Sequence, residues 1–264
     1  VRTRIGLVIQ YDGTDFCGWA EQASQRTVQG TLKTCIESLC GHEIELRGAS
    51  RTDAGAHALG QRADFETDLP MPAEKWSLVL SDRLAPEIVV TESFALPPEF
   101  HSRFYARSRT YRYRLSEQRH VNPLVGRYVH PVGAKLDVEA MQAAASRLKG
   151  RHDFRAFSEQ LKEDANTVRR VTSCRVGRVR DEVVVTIRAN AFLRGMVRRI
   201  VGGLVEVGLR RRTVEGFASL LDPGRRDSLT WPVVLPANGL TLIQVDYGRR
   251  YRDLRLDKKG KRQK

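Results

Sequence analysis

Apolar residues occupy every second position near the start of the chain: Ile5, Leu7, Ile9 and Tyr11 line one face of a predicted strand, which Asp12-Gly13 ends. Beyond a stretch rich in Gly, Ser and Gln the period changes to that of a helix. Val28, Leu32, Cys35, Ile36 and Leu39 share a face, Thr27 can cap the start, and Gly41 is a stop. Ile44 and Leu46 alternate as a second strand, and Ala63 and Phe65 mark a third. Pro72 opens a helix through Trp76, Val79 and Leu80, and Ile88 to Phe94 is a fourth strand. The order β-α-β-β-α-β is that of the ferredoxin-like unit.

Leu96-Pro97-Pro98-Glu99 marks a boundary, after which the order repeats approximately. A strand is predicted over Thr110 to Leu115 and a helix over Asp137 to Lys149, with Gly150 behind it. Val168 to Val179 and Val183 to Ala189 form a hairpin turning at Asp181-Glu182. A helix from Phe192 to Val207, a shorter one from Val214 to Leu221 and a strand from Leu240 to Val245 follow. The expected architecture is α+β: two ferredoxin-like, RRM-like halves, residues 1–98 and 99–248, each with a mostly antiparallel sheet flanked by helices. Residues 249–264 are expected to be a disordered tail, since its charges cannot be buried.

Composition adds a partner. With 264 residues, 41% of them hydrophobic, the chain can bury a core, and its net charge of +14 suits a polyanion. Nine basic and two acidic residues lie in the tail, so half the excess belongs to the body. Arg outnumbers Lys 36 to 9. Guanidinium forks suit phosphate and bases, although a genome rich in G and C produces the same ratio. Cys17, Cys35, Cys40 and Cys174 form no C-x-x-C pair and read as reduced thiols. No apolar run approaches the roughly 20 residues of a membrane helix, and Ile5 to Ile9 is too short for a signal core. A soluble, cytoplasmic protein is expected.

Three segments carry candidate chemistry. Residues 101–127 hold seven Arg against the single acid Glu117, interleaved with Phe104, Tyr105, Tyr111 and Tyr113. Basic side chains with aromatic faces are a single-strand RNA-binding mixture; the plainer reading is a solvated strand face with core tyrosines. Period 2 sends Tyr111 and Tyr113 one way and Arg112 and Arg114 the other. Arg51-Thr52-Asp53-Ala54-Gly55 sits on a loop, where Asp beside Gly is ordinarily turn chemistry. Arg51 favours the ionised carboxylate, His57 adds a polar group, and a loop braced by strands is a usual place for a catalytic residue. On the helix from Phe192, Met196, Ile200, Leu204 and Val207 form one apolar stripe, and Arg198 shares another with Val201 and Val205. Arg198 either reaches water near the helix start or is buried against a carboxylate, for which Asp53 is the candidate. Gly202-Gly203 lets another backbone approach closely.

Together these residues resemble the tRNA pseudouridine synthase A family. The matching blocks are Tyr11-Asp12-Gly13 with Gly18-Trp19 and Thr27-Val28-Gln29, and Arg51-Thr52-Asp53-Ala54-Gly55 with His57. Arg109-Thr110-Tyr111-Arg112-Tyr113 is the third, and Asn190-Ala191-Phe192-Leu193 with Met196-Val197-Arg198 and Ile200-Val201-Gly202 the fourth. Gly239-Leu240-Thr241-Leu242 leading to Val245-Asp246-Tyr247 looks like the family's last strand. Ala20, Cys17, Ser50 and Ala56 depart from the pattern, where Gln, an aromatic, Gly and Val are common.

The resemblance implies the pseudouridine synthase fold with a catalytic cleft between its halves. It implies conversion of uridine to pseudouridine in the tRNA anticodon stem-loop, at positions 38 to 40 of the tRNA convention. A homodimer with no cofactor and no metal is also implied. Asp53 corresponds to the nucleophile, Tyr111 to the tyrosine that packs on the target base and can serve in proton removal, and Arg198 to the basic partner of the aspartate. Arg51 resembles the residue that fills the space left by the flipped nucleotide. His57, Gln61, Arg109 and Tyr113 are expected to join Arg51 and Tyr111 in binding the RNA. N1 and C5 of uracil trade places without net redox change, so the reaction requires no cofactor. The alternative is a non-catalytic RNA-binding module of ferredoxin-like fold. A glycosidase would need two cleft carboxylates, and the Asp53 motif supplies one.

Overall fold

The alternating N-terminal segment forms β1 (Thr3–Tyr11), which lies between β3 (His57–Thr67) and β4 (Ile88–Leu96) and runs antiparallel to both. Ile5, Leu7 and Ile9 point into the core, but Gly6 and Val8 are buried as well, so β1 is covered on both faces. In the computed structural model, residues 2–158, 164–224 and 230–248 are described, and the chain forms two units. One runs to Arg107 and resumes at Leu242; the other comprises Ser108–Thr241. The expected tail from residue 249 lies outside the described residues. Among the described residues no helix is long and apolar enough to cross a membrane.

In the first unit, α1 (Val28–Cys40) starts where Thr27 accepts a hydrogen bond from Gly30 N–H at 3.2 Å. It ends at Gly41, whose φ of 73° is left-handed and whose N–H reaches Glu37 O at 2.8 Å. Leu32 and Ile36 of α1 are buried, as is Trp76, which opens α2 (Trp76–Leu84) and meets Phe65 edge-on at 5.0 Å. The predicted second strand shrinks to β2 (Arg47–Gly48), paired with β3. Ile44 and Leu46 are buried but outside any ladder, because helix side chains take their backbone groups. Glu37 accepts from Ile44 N–H at 3.0 Å, and Gln29 donates to Leu46 O at 2.8 Å.

The division expected after residue 98 falls inside this unit. Phe100 is buried against Tyr105 and Tyr247, and Ser102 N–H donates to the fully buried Asp64 carboxylate at 2.7 Å. Arg4 and Arg47 bind the same carboxylate. Burial pushes the Asp64 carboxyl up, while the Ser102 bonds and the Arg4 charge pull it back. Arg107 N–H bonds Asp246 O at 2.8 Å, where β10 (Leu240–Asp246) runs beside β3.

The second unit orders its antiparallel strands as β5 (Ser108–Ser116), β9 (Glu182–Ala189), β8 (Val168–Val179) and β7 (Gly150–Asp153), with β6 (His130–Pro131) parallel to β5. The β8–β9 hairpin closes through Arg180-Asp181, one residue earlier than expected, with Arg180 at φ 53°. Tyr113, Leu115, Val185 and Ile187 form the covered face of the sheet, and Met141 of α3 (Val138–Arg147), Leu204 and Phe217 are buried with them.

The Arg198 helix is α4 (Met196–Gly208), four residues shorter at its start than expected. Gly195, at φ 67°, is left-handed, which breaks the helix and leaves Phe192 on the preceding segment. A Cβ at Gly202 would collide with the Val233 carbonyl oxygen, so the expected close backbone approach is present. At Gly203 the neighbours are the side chains of Phe217, from α5 (Val214–Ala218), and Pro232.

Candidate active site

Asp53 is half-buried on a loop that turns tightly: its carbonyl accepts from Ala56 N–H at 3.1 Å, and Gly55 takes the left-handed position at φ 79°. Turn chemistry is therefore present, but the loop is also clamped from outside. Trp19 N–H donates to Thr52 O at 3.1 Å, Gly55 N–H donates to Phe16 O at 3.2 Å, and the Tyr11 and Thr52 hydroxyls share a 2.8 Å bond. Gly13 and Gly18 make room for this. A Cβ at Gly13 would collide with the Ala56 carbonyl, and one at Gly18, where φ is 87°, would press on the Thr52 carbonyl. The blocks Tyr11-Asp12-Gly13 and Gly18-Trp19 thus form one wall of the Asp53 loop. Arg51 is exposed on the same loop.

His57 and Gln61 support the loop from below. His57 is buried, its Nδ1 accepting from Gly13 N–H at 3.0 Å, and an Asp12 carboxylate oxygen lies 3.1 Å from the same nitrogen. Gln61 is 0% exposed; it donates to Ser50 O at 2.7 Å and accepts from Ser50 N–H at 3.2 Å. The structure gives Gln61 no surface toward RNA, because its amide is spent on the backbone that leads into Arg51.

In the second unit β5 alternates as expected: Tyr111 and Tyr113 are buried, Arg112 is exposed, and Arg114 pairs bidentately with Glu182 at 2.6 Å. Tyr111 is 5% exposed and meets Phe192, which lies ahead of α4, edge-on at 5.1 Å. Arg109 is mostly buried, its Nη1 donating to Asn190 O at 2.9 Å. Tyr113 has no exposed surface and donates to Pro236 O at 2.6 Å. Burial pushes its phenol far up, against the pull of the nearby Arg198 charge. Stacking of Tyr113 on a base is closed off by that burial. Arg198 is half-buried in the first turn of α4, and its Nε donates to Leu235 O at 2.6 Å. The reading that it reaches water near the helix start thus holds in part, and its Nε is oriented by a carbonyl.

Comparison with known proteins decides the family. The tRNA pseudouridine synthase family model matches residues 7–105 and 144–248, which include both the Asp53 loop and the Arg198 helix. The chain belongs to the tRNA pseudouridine synthase family. Its relatives include a tRNA pseudouridine synthase A of Solidesulfovibrio magneticus, 42% identical over 93% of this chain and 91% of the relative. Another, from Halalkalibacterium halodurans, is 39% identical over 85% and 86%, and one from Brevibacillus brevis is 39% identical over 92% and 99%. Among solved structures, one of a Cbf5–Nop10–Gar1 complex has a TM-score of 0.35 at 9% identity, over 94% of this chain and 59% of the other, too slight a likeness to bear on function.

As a member of this family the chain is an isomerase of tRNA uridines with the α+β pseudouridine synthase fold. Two features of the synthase were missed by sequence reasoning. The first is the contact of Phe192 with Tyr111, hidden because Gly195 was read as helical. The second is the irregular segment 230–235, bound to α4 by Arg198, by Arg199 (to Pro232 O, 3.0 Å) and by Glu206 (from Val233 N–H, 3.3 Å). Its signal was Gly202, already singled out for close backbone approach.

Proposed function

We propose that the chain converts uridine to pseudouridine at positions 38 to 40 of the tRNA anticodon stem-loop, with Asp53 as the nucleophile. The reaction must break the C1′–N1 bond, turn the uracil and join C5 to C1′. A carboxylate opens this route by attacking the ribose or the base, or by taking a ribose proton. Tyr111 packs on the target base, Arg198 is the cationic partner of Asp53, and Arg51 fills the place of the extruded nucleotide. Extrusion costs a few kcal/mol, which stacking and phosphate contacts offset. Loss of the C5 proton then falls to a base or water near Tyr111. The enzyme works as a homodimer in the cytoplasm, and the reaction draws on no cofactor or metal.

The observation that carries this reading is the construction of the Asp53 loop. Two glycine-permitted approaches and three hydrogen bonds hold a short loop whose side chains Arg51 and Asp53 keep solvent access. A plain binding module needs no such rigidity around one carboxylate. The test is chemical mapping of pseudouridine in unmodified tRNA incubated with wild type and with Asp53→Asn. The variant is expected to fold and bind tRNA while its rate falls by at least about a thousandfold. Substantial turnover by the variant would remove Asp53 as nucleophile, and tRNA binding by wild type without new pseudouridine would favour the binding module.

A further inference from the structure

The second unit's sheet has one face covered by helices; the strand registers show what stands on the other. Along the middle of β5 the odd positions 109, 111, 113 and 115 are buried, so Thr110, Arg112 and Arg114 stand on the other face, whose two end residues Ser108 and Ser116 are themselves covered. Arg112 is opposite Thr186 on β9, and Thr186 is opposite Arg175 on β8. Arg188 is opposite Thr110 on one side and Ser173 on the other. Past the irregularity between Val171 and Ser173, Val171 returns to the covered face and pairs with Gly150, which leaves Arg170 on the open face, directly opposite Arg151 of β7. Arg112, Arg151, Arg170, Arg175 and Arg188 are all exposed.

This arrangement works against the sheet's own stability. Like charges directly opposite across an antiparallel pair are destabilising, and Arg170 and Arg151 are such a pair. Neighbouring strands are about 4.8 Å apart, so Arg112 and Arg175, flanking Thr186, stand roughly 10 Å apart. Glu182 on the same face is engaged by Arg114 at the far end of β5. The Arg170–Arg151 pair is a repulsion that a polyanion relieves, and Arg112, Arg175 and Arg188, the last with its Nε on Ser108 Oγ at 2.9 Å, continue the same basic row.

We propose that this open face of β5, β9, β8 and β7 is a second RNA-binding surface, which grips the phosphate backbone of tRNA through Arg112, Arg151, Arg170, Arg175 and Arg188. The inference rests on tRNA being the substrate. It concerns RNA other than the target nucleotide, because Tyr111 is on the opposite face of the same strand. The face supplies affinity and positions no reacting atom. A second copy of the chain is the less favoured occupant, since two such faces would bring guanidinium against guanidinium.

The test uses the full chain and unmodified full-length tRNA, with Arg170→Glu plus Arg175→Glu and, as the milder pair, Arg170→Gln plus Arg175→Gln. Dissociation constants are measured by filter binding over a salt series, and kcat at saturating tRNA. The Glu pair is expected to weaken binding about tenfold or more and to flatten the slope of log K against log salt by about 1.5, with kcat unchanged. The Gln pair is expected to weaken binding less and to leave Tm equal or higher, because the Arg170–Arg151 repulsion is relieved. An unchanged Kd and salt slope in both pairs would overturn the proposal. So would a lower Tm in the Gln pair with a matching loss of kcat, or a change in oligomeric mass, which would make the face an interface between copies. Filter binding needs no turnover, so failure of this surface is distinguishable from failure of the isomerase reading.

Discussion

Two tyrosines two residues apart on one strand face have different surroundings. Tyr113 is sealed: its hydroxyl is committed to Pro236 O, and Gly239 packs so closely that a Cβ there would press on the Tyr113 ring. Tyr111 keeps 5% of its surface, and its ring meets Phe192 edge-on at 5.1 Å. Removing the hydroxyl alone separates packing from proton transfer. Tyr111→Phe preserves the ring and its contact with Phe192, so tRNA affinity is expected to stay within about twofold. If the hydroxyl serves in proton removal, kcat falls by roughly a hundredfold or more. Steady-state kinetics beside filter binding read the two separately, and an unchanged kcat would take the Tyr111 hydroxyl out of proton removal.

At the scale of elements, α4 and the segment strapped to it hold Arg198. The helix is apolar on nearly all sides, and its Gly202 lies against the Val233 backbone. Gly202→Ala places a methyl group on the Val233 carbonyl oxygen and must displace the segment 230–235, whose Leu235 carbonyl receives Arg198 Nε. The expected result is a loss of roughly 1–3 kcal/mol of stability together with a lower kcat. Wild-type Tm and kcat in this variant would show that the strap does not orient Arg198. The helix was legible from its periodicity, and the need for close approach from its glycines. Its starting residue was not, because Gly195 adopts a left-handed conformation that no apolar pattern reports. The capped ends of α1 were readable since Thr27 and Gly41 act locally. The second strand was not, since side chains of α1 satisfy the Ile44 and Leu46 backbone over a distance in sequence. The same holds at the site. Motif spacing gave the Asp53 loop, but the burial of Gln61 and Tyr113 depends on partners at Ser50 and Pro236 that carry no motif.

At the scale of the whole molecule, protonation links these parts to stability through two kinds of group, histidines near neutral pH and carboxylates lower down. His130 on β6 is half-buried with its ring edge-on to Tyr113 at 6.4 Å, and burial holds its pKa below the usual 6.5. The neutral ring is thus favoured in the folded state, and its contribution is present above pH 6.5 and lost as pH falls through the depressed value. The carboxylates act lower. A bond from Arg178 holds Glu117 below its usual 4.5, as a bond from Arg26 does for Glu87, so their contributions are lost only as pH falls below 4.5. His42 works in the opposite sense. Its bond to the Glu43 carbonyl raises its pKa, so that contribution is present below 6.5 and lost as pH rises through the raised value. Comparing wild type with His130→Phe at each pH cancels the terms from His42 and the carboxylates. Thermal unfolding of both proteins from about pH 7.5 to about 4 should show the difference in Tm changing just below 6.5 and flat further down, with a steeper fall common to both in the carboxylate range. A difference that stays constant across the neutral range would mean that His130 carries its proton equally well folded and unfolded, and that its place beside Tyr113 is one of shape alone.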